Sequence, residues 1–138
     1  MAWKIHALLA AVFAALSAIL AKAGLKDVDA NLATAVRVTV ILFIAWGAAW
    51  ASGGWEAAKS LSFRSVIPLV LSACATGASW LFYFKALQEG PTGKVAGVDK
   101  LSLVLTLVLA AWLLGEPIDA KTAVGGALIT IGALALVW

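Results

Sequence analysis

Five long apolar stretches constrain this sequence more than any other feature. They cover residues 3–25, 32–51, 66–87, 95–114 and 122–138. A helix that crosses the hydrocarbon core of a bilayer needs about 20 mainly apolar residues, so each stretch is long enough to span a membrane. The breaks between them contain helix-ending residues such as Gly53, Gly54 and Pro117. The sequence therefore predicts an all-α fold, a bundle of five transmembrane helices.

The composition excludes an ordinary soluble domain. Of the 138 residues, 64% are hydrophobic and only 12% are charged, whereas soluble domains have about 45–50% apolar and about 25% charged residues. The surplus of apolar side chains has to face a lipid bilayer. Because the connections between the stretches are short, we expect a single transmembrane domain over residues 1–138.

The charge of the chain does not indicate a nucleic-acid partner. The formal net charge is +3, but the basic residues are scattered singly and form no run. We therefore expect no binding to nucleic acid.

The sequence contains no pattern of catalytic or metal-binding residues. It lacks a G-x-S-x-G element, an H-E-x-x-H element and a phosphate-binding loop. His6 and Cys74 are each the single residue of their type, which is too few for a metal site. We expect no cofactor, no metal and no enzymatic activity.

Apart from Lys4 at the start of the first span, five charged residues lie inside the predicted spans, all toward one side of the membrane. If face A is the side of the N-terminus, they lie within about 10 Å of the opposite face B, at a rise of 1.5 Å per residue. They are Lys22, Arg37, Lys85, Asp99 and Lys100. Charges inside a membrane are costly and usually face a cavity or each other. The pattern predicts a polar vestibule that opens to face B.

These charges allow two interpretations. In the first, Lys22 and Lys85 extend to the headgroups, and Asp99 forms an ion pair with Arg37 or Lys100 that holds helices together. In the second, the excess of cations binds an anionic or zwitterionic solute, with Arg37 and Lys100 as the contacts for its negative charge. Asp99, the only acid within a span, then acts as a proton carrier or ion-pair partner, with Lys22 and Lys85 nearby.

Aromatic residues form a stripe on the third span. Trp80, Tyr83 and Phe84 share one helix face. Such a stripe either packs as core or forms a binding wall. For a binding site we predict Trp80 and Tyr83 as the walls, because both carry polar groups that need partners when buried.

Glycines mark the last span as a packing surface. Gly125, Gly126 and Gly132 allow close approach of another helix, which drives helix association in lipid. They serve either packing inside one protomer or an interface between protomers.

Basic residues near the ends of the spans and in the connections are balanced between the two faces. Face A has Lys4, Lys59, Arg64 and Lys121, and face B has Lys22, Lys26, Lys85 and Lys94. An excess of Lys and Arg on one side normally fixes orientation, so this balance predicts that both orientations insert. The alternative is that a minor bias or a partner fixes one orientation.

Several segments resemble a known family. They are SWLFYFKALQEG at residues 79–90, VDKLS at 98–102, and LLGEP at 113–117 before a glycine-rich last span. Together they resemble the EamA domain of the drug/metabolite transporter superfamily, and more particularly its small single-domain members with five spans. Lys22 and Arg37 fit that pattern too, and the resemblance covers essentially the whole chain.

The resemblance implies a membrane transporter of a small-molecule solute. Larger members fuse two such domains as inverted repeats, so a five-span chain corresponds to one half and needs a partner inserted the other way up. We expect an antiparallel homodimer that works by alternating access in the cell inner (plasma) membrane, crossing it several times. The alternatives are a non-transporting membrane subunit and a component of a lipid-linked flippase.

Overall fold

The computed structural model describes residues 2–58 and 60–138, and the regular elements of these residues are helices. Lys59, one of the cations counted on face A, lies outside the described residues. The helices are α1 (Ala2–Gly24), α2 (Ala30–Ala51), α3 (Gly54–Ala58), α4 (Phe63–Glu89), α5 (Thr92–Asp99), α6 (Leu101–Leu109) and α7 (Ala120–Val137). Among these described residues, five spans are long and apolar enough to cross a membrane, the fourth being Thr92–Leu114. The predicted all-α fold of five transmembrane helices is confirmed.

Aspartates cap the start of two spans. The Oδ1 atom of Asp29 accepts hydrogen bonds from the backbone N–H groups of Asn31 and Leu32 at 2.9 and 3.0 Å, and so α2 begins there. Asp119 begins α7 in the same way, accepting from the N–H of Thr122 at 2.7 Å. Hydrogen bonds from the side chain and the backbone of Thr122 lower the pKa of the Asp119 carboxyl below its usual value.

The fourth span is not a uniform α-helix, although its apolar pattern predicts one. The N–H of Lys100 donates to the carbonyl of Gly97 at 3.1 Å, and the carbonyl of Lys100 accepts from Leu103 at 3.0 Å. Both bonds join residues three apart, so the helix tightens locally where α5 meets α6. The span ends in a π-helical turn, Ala110–Leu114, followed by Gly115 with a φ of +69°. An apolar pattern does not reveal such changes, because they alter hydrogen bonding and leave the surface apolar.

The helices group into two compact units. The terminal unit combines the chain up to Leu20 with Glu89–Trp138, and the middle unit is Ala21–Gln88. Within the terminal unit, α7 packs against both α5 and α6. Gly97 on α5 lies against the side chain of Leu136 on α7, so this packing depends on the missing side chain of the glycine.

The middle unit has a small and tightly packed core at one end. Leu87 is fully buried, and Phe84, Ala30 and Leu25 are exposed by 3% or less. These residues come from the end of α4, the first turn of α2 and the residue that follows α1. The charged residues Lys22 and Arg37 lie next to this core, since Lys22 contacts Leu87 and Arg37 contacts Phe84.

Most other large apolar side chains point outward. Phe43 and Phe82 are each 72% exposed, and Trp112 is 79% exposed. So much exposed apolar surface is unfavourable in water. The spans therefore require lipid, or another membrane protein, around them.

Candidate functional site

Arg37 and the aromatic face of α4 meet within the middle unit. Arg37 lies about two turns into α2, and its Cζ atom is 4.6 Å from the ring centroid of Phe84 and 6.0 Å from that of Trp80. Both distances are in the range of a cation–π interaction. An aromatic ring has no net charge, so these two contacts position the guanidinium without neutralising it.

The aromatic face has one fixed ring and two partly accessible ones. Phe84 is only 1% exposed, and Tyr83 packs against it edge to face, with centroids 6.1 Å apart at an angle of 74°. Trp80 and Tyr83 are half-buried. The two residues predicted as walls therefore keep accessible surface, whereas Phe84 is buried, and their role in binding stays a prediction.

Lys22 fastens α1 to the end of α4. Its Nζ atom donates to the backbone carbonyl of Leu87 and, at 3.4 Å, to that of Gln88. The last four carbonyls of a helix lack partners within the helix, and they form the negative end of its dipole. Lys22 thus satisfies carbonyls that α4 cannot satisfy itself. Its predicted part in proton or ion-pair chemistry stays a prediction.

Two further polar residues lie near the end of α4. The amide Nε2 of Gln88 donates to the carbonyl of Val28 at 3.1 Å, which ties the connection between α1 and α2 to α4. Lys85 is exposed, and its predicted role as a proton or ion-pair residue stays a prediction.

Asp99 and Lys100 form an ion pair in the terminal unit. Their Oδ2 and Nζ atoms are 3.5 Å apart, and the side chains are 38% and 60% exposed. This pairing with Lys100 is one of those that the sequence suggested for Asp99. An ion pair with this exposure contributes little to stability, and both groups remain accessible to other partners. The pair lies where the hydrogen-bonding pattern of the fourth span changes.

The three glycines of α7 differ in their surroundings. Gly126 is buried, and a Cβ atom there would lie 3.3 Å from Cδ1 of Leu107. Gly125 and Gly132 have no described atom within 4 Å of such a Cβ. Gly126 therefore serves packing within the terminal unit, whereas Gly125 and Gly132 leave open space on α7.

Comparison with known proteins decides the family. The sequence matches the EamA-like transporter family over residues 1–138. The chain belongs to the EamA-like transporter family. A Sinorhizobium protein described as an uncharacterized transporter in the cobO 3' region is 41% identical over 134 residues, which cover 97% of this chain and 95% of that protein. No solved structure matches the chain.

This EamA-like transporter is a multi-pass membrane protein, and its five spans fit a small member of the drug/metabolite type. Proteins of the family are in general transporters and not enzymes. The predicted family and fold class are confirmed, as is the prediction of a multi-pass membrane protein, whereas its location in the inner (plasma) membrane stays a prediction. The assignment of Arg37, Trp80 and Tyr83 to solute binding stays a prediction.

The sequence analysis of this EamA-like transporter did not select Phe84 and Gln88 for the candidate site. Phe84 gives the closest ring contact to Arg37. Its position four residues after Trp80, on the same helix face, could have indicated that it lies beside the same partner. Gln88 and its bond to Val28 had no sequence signal, because a backbone carbonyl acceptor is present at every residue.

Proposed function

We propose that this EamA-like transporter moves a small anionic or zwitterionic metabolite across the cell inner membrane by alternating access. The single domain 1–138 is one protomer, and two protomers inserted in opposite orientations form the working unit. Inverted repeats around a shared site are a common plan of secondary transporters.

The observation that carries the proposal is the position of Arg37. A cation inside a span is expensive and is usually functional, and here it lies against Phe84 and Trp80. A guanidinium presents several N–H donors in one plane, which suits the two oxygens of a carboxylate. The proposal therefore assigns the negative charge of the solute to Arg37, with Trp80 and Tyr83 as the surrounding walls.

The ion pair Asp99–Lys100 has a second role in the proposal. Lys100 provides a further cation for the solute, and Asp99 exchanges a proton or changes ion-pair partner during the cycle. The exposure of both side chains and the local change in helix geometry at Lys100 support this role, since irregular helix segments often occur at functional sites. Lys22 and Lys85 complete the positive surroundings.

Two features support the proposed dimer, namely the odd number of spans and the surface of α7. A five-span protomer can match an inverted partner only if both orientations insert, which the balanced basic residues permit. The open space beside Gly125 and Gly132 supports contact of this helix with a second copy. In this arrangement Gly126 supports the interface from within its own protomer.

A binding screen tests the site. The purified full chain is heated with amino acids, monocarboxylates, dicarboxylates and sugar phosphates, and the melting temperature is compared with that of the protein alone. We expect at least one anionic or zwitterionic compound to raise it, by mass action. The rise disappears in Arg37→Ala and persists in the matched control Arg64→Ala. An equal rise in both variants contradicts the assignment of Arg37.

A further inference from the structure

The connection between α1 and α2 meets the end of α4 at a pocket that shares only Lys22 with the proposed solute site. Its volume is about 240 Å³, and its lining residues are Lys22, Leu25, Lys26 and Gln88. All four belong to the middle unit. Neither Arg37 nor its aromatic partners line the pocket, so the residues proposed to contact the solute directly lie outside it.

Three of the four lining residues of this pocket are held in place. The ammonium group of Lys22 is fixed by the carbonyls of Leu87 and Gln88, and Leu25 is 3% exposed. The side chain of Gln88 is bonded to Val28. The pocket therefore exists before any ligand arrives, which lowers the entropic cost of binding.

Two of the four lining residues are cations and none is acidic. Asp27 follows Lys26 in the chain but does not line the pocket. An ammonium group donates three hydrogen bonds and accepts none, so the pocket offers positive charge and donors to an anion. Near an anionic membrane surface, each lysine strengthens binding about fivefold.

The pocket lies at the depth of lipid phosphates. Helices α1 and α4 contain 23 and 27 residues, enough to cross the hydrocarbon core. Lys22 is in the last turn of α1, and Gln88 is in the last turn of α4. Their common end therefore lies at the membrane–water boundary, where basic pockets between helices bind phospholipid headgroups.

We infer that the pocket lined by Lys22, Leu25, Lys26 and Gln88 binds a phosphate group, supplied at this depth by the headgroup of an anionic phospholipid. The bound phosphate stabilises the end of the middle unit, where α1, the connection and α4 meet. This binding is independent of the transported solute.

The experiment measures the melting temperature of the purified full chain in detergent. Phosphatidylglycerol, phosphatidylcholine and inorganic phosphate are added separately to the unaltered protein, to Lys26→Gln and to Lys94→Gln. Lys94→Gln removes the same charge from α5, outside the pocket. We expect phosphatidylglycerol to raise the melting temperature of the unaltered protein and of Lys94→Gln, whereas Lys26→Gln needs about fivefold more of it for the same rise.

The outcomes separate the possible sources of the phosphate. If inorganic phosphate raises the melting temperature as much as phosphatidylglycerol does, and Lys26→Gln loses this rise, the pocket binds phosphate from solution. The inferred binding of a phosphate group then holds. Equal responses to both lipids with no response to inorganic phosphate overturn it, as does an unchanged response in Lys26→Gln. Lys26→Gln is preferred to Lys22→Gln because Lys22 also caps α4. The solute screen on Lys26→Gln shows independently that the variant is folded.

Discussion

A guanidinium inside a membrane span needs stabilising neighbours, and Arg37 has two aromatic rings beside it. The Phe84 ring is buried and close, and the Trp80 ring is half-buried and farther away. In the proposed function, this asymmetry lets Phe84 hold the cation while Trp80 stays accessible to a solute. At the scale of single residues, the proposal therefore gives Arg37 both a packing contact and the binding of the solute.

Replacing Arg37 by lysine separates charge from geometry. Arg37→Lys keeps the positive charge but loses the planar donors that contact two carboxylate oxygens. We expect about tenfold weaker binding of any carboxylate solute found in the screen, since one charge-assisted hydrogen bond contributes about 1.5–3 kcal/mol. Titration calorimetry measures the dissociation constant. Unchanged affinity in Arg37→Lys means that only the charge matters at this position.

Lys22 provides a second prediction at the residue scale. Lys22→Met keeps an unbranched side chain that is one atom shorter but leaves the carbonyls of Leu87 and Gln88 without this donor. We expect the free energy of unfolding to fall by about 1–3 kcal/mol, the usual cost of an unsatisfied buried polar group. Reversible denaturation in detergent measures it, with Lys94→Met as the matched control. Equal stability of the two variants contradicts the capping role.

At the scale of helices, the contact of α5 with α7 depends on Gly97. Gly97→Ala places a methyl group against the side chain of Leu136. We expect a loss of about 1 kcal/mol of unfolding free energy from overpacking, and a smaller loss in the double variant with Leu136→Ala than the two single losses predict. Gly77→Ala is the control, because no described atom lies within 4 Å of its added methyl. Additive losses argue against the contact.

The helices show how much of the fold the sequence can predict. The five spans follow from apolar length, because bilayer thickness dictates it, and their observed ends lie within three residues of the predicted ones. The tightened turn at Lys100 was not predictable, since it changes hydrogen bonds without changing apolarity. The stripe of Trp80, Tyr83 and Phe84 was visible in the sequence. Its contact with Arg37 was not, because it depends on how two helices pack.

At the scale of the whole molecule, two features indicate what surrounds the protomer. They are the outward apolar surface and the odd number of spans. Lipid covers part of that surface, and the proposal assigns another part to a second, inverted copy. Lys22 and Arg37 were both predicted from the sequence as members of one charged group. Lys22 bonds to backbone carbonyls in the structure, which no sequence pattern could reveal.

Orientation in the membrane can be read by labelling one cysteine. In Cys74→Ala with Ser60→Cys, the new thiol lies in the connection between α3 and α4. An impermeant thiol reagent applied to intact cells is expected to label about half of the molecules, because balanced basic residues let both orientations insert. Total labelling after permeabilisation is the control. Labelling of all or none of the molecules means a single orientation and rules out the antiparallel homodimer.

The central claim is that this EamA-like transporter alone moves a small anionic or zwitterionic solute through binding at Arg37. The most direct measurement is counterflow into proteoliposomes that contain only the purified chain, with the radiolabelled compound that stabilised it most in the screen. The account predicts saturable uptake by the unaltered chain and by Arg64→Ala, and loss of uptake in Arg37→Ala. No uptake by the unaltered chain, or equal uptake by Arg37→Ala, would contradict it.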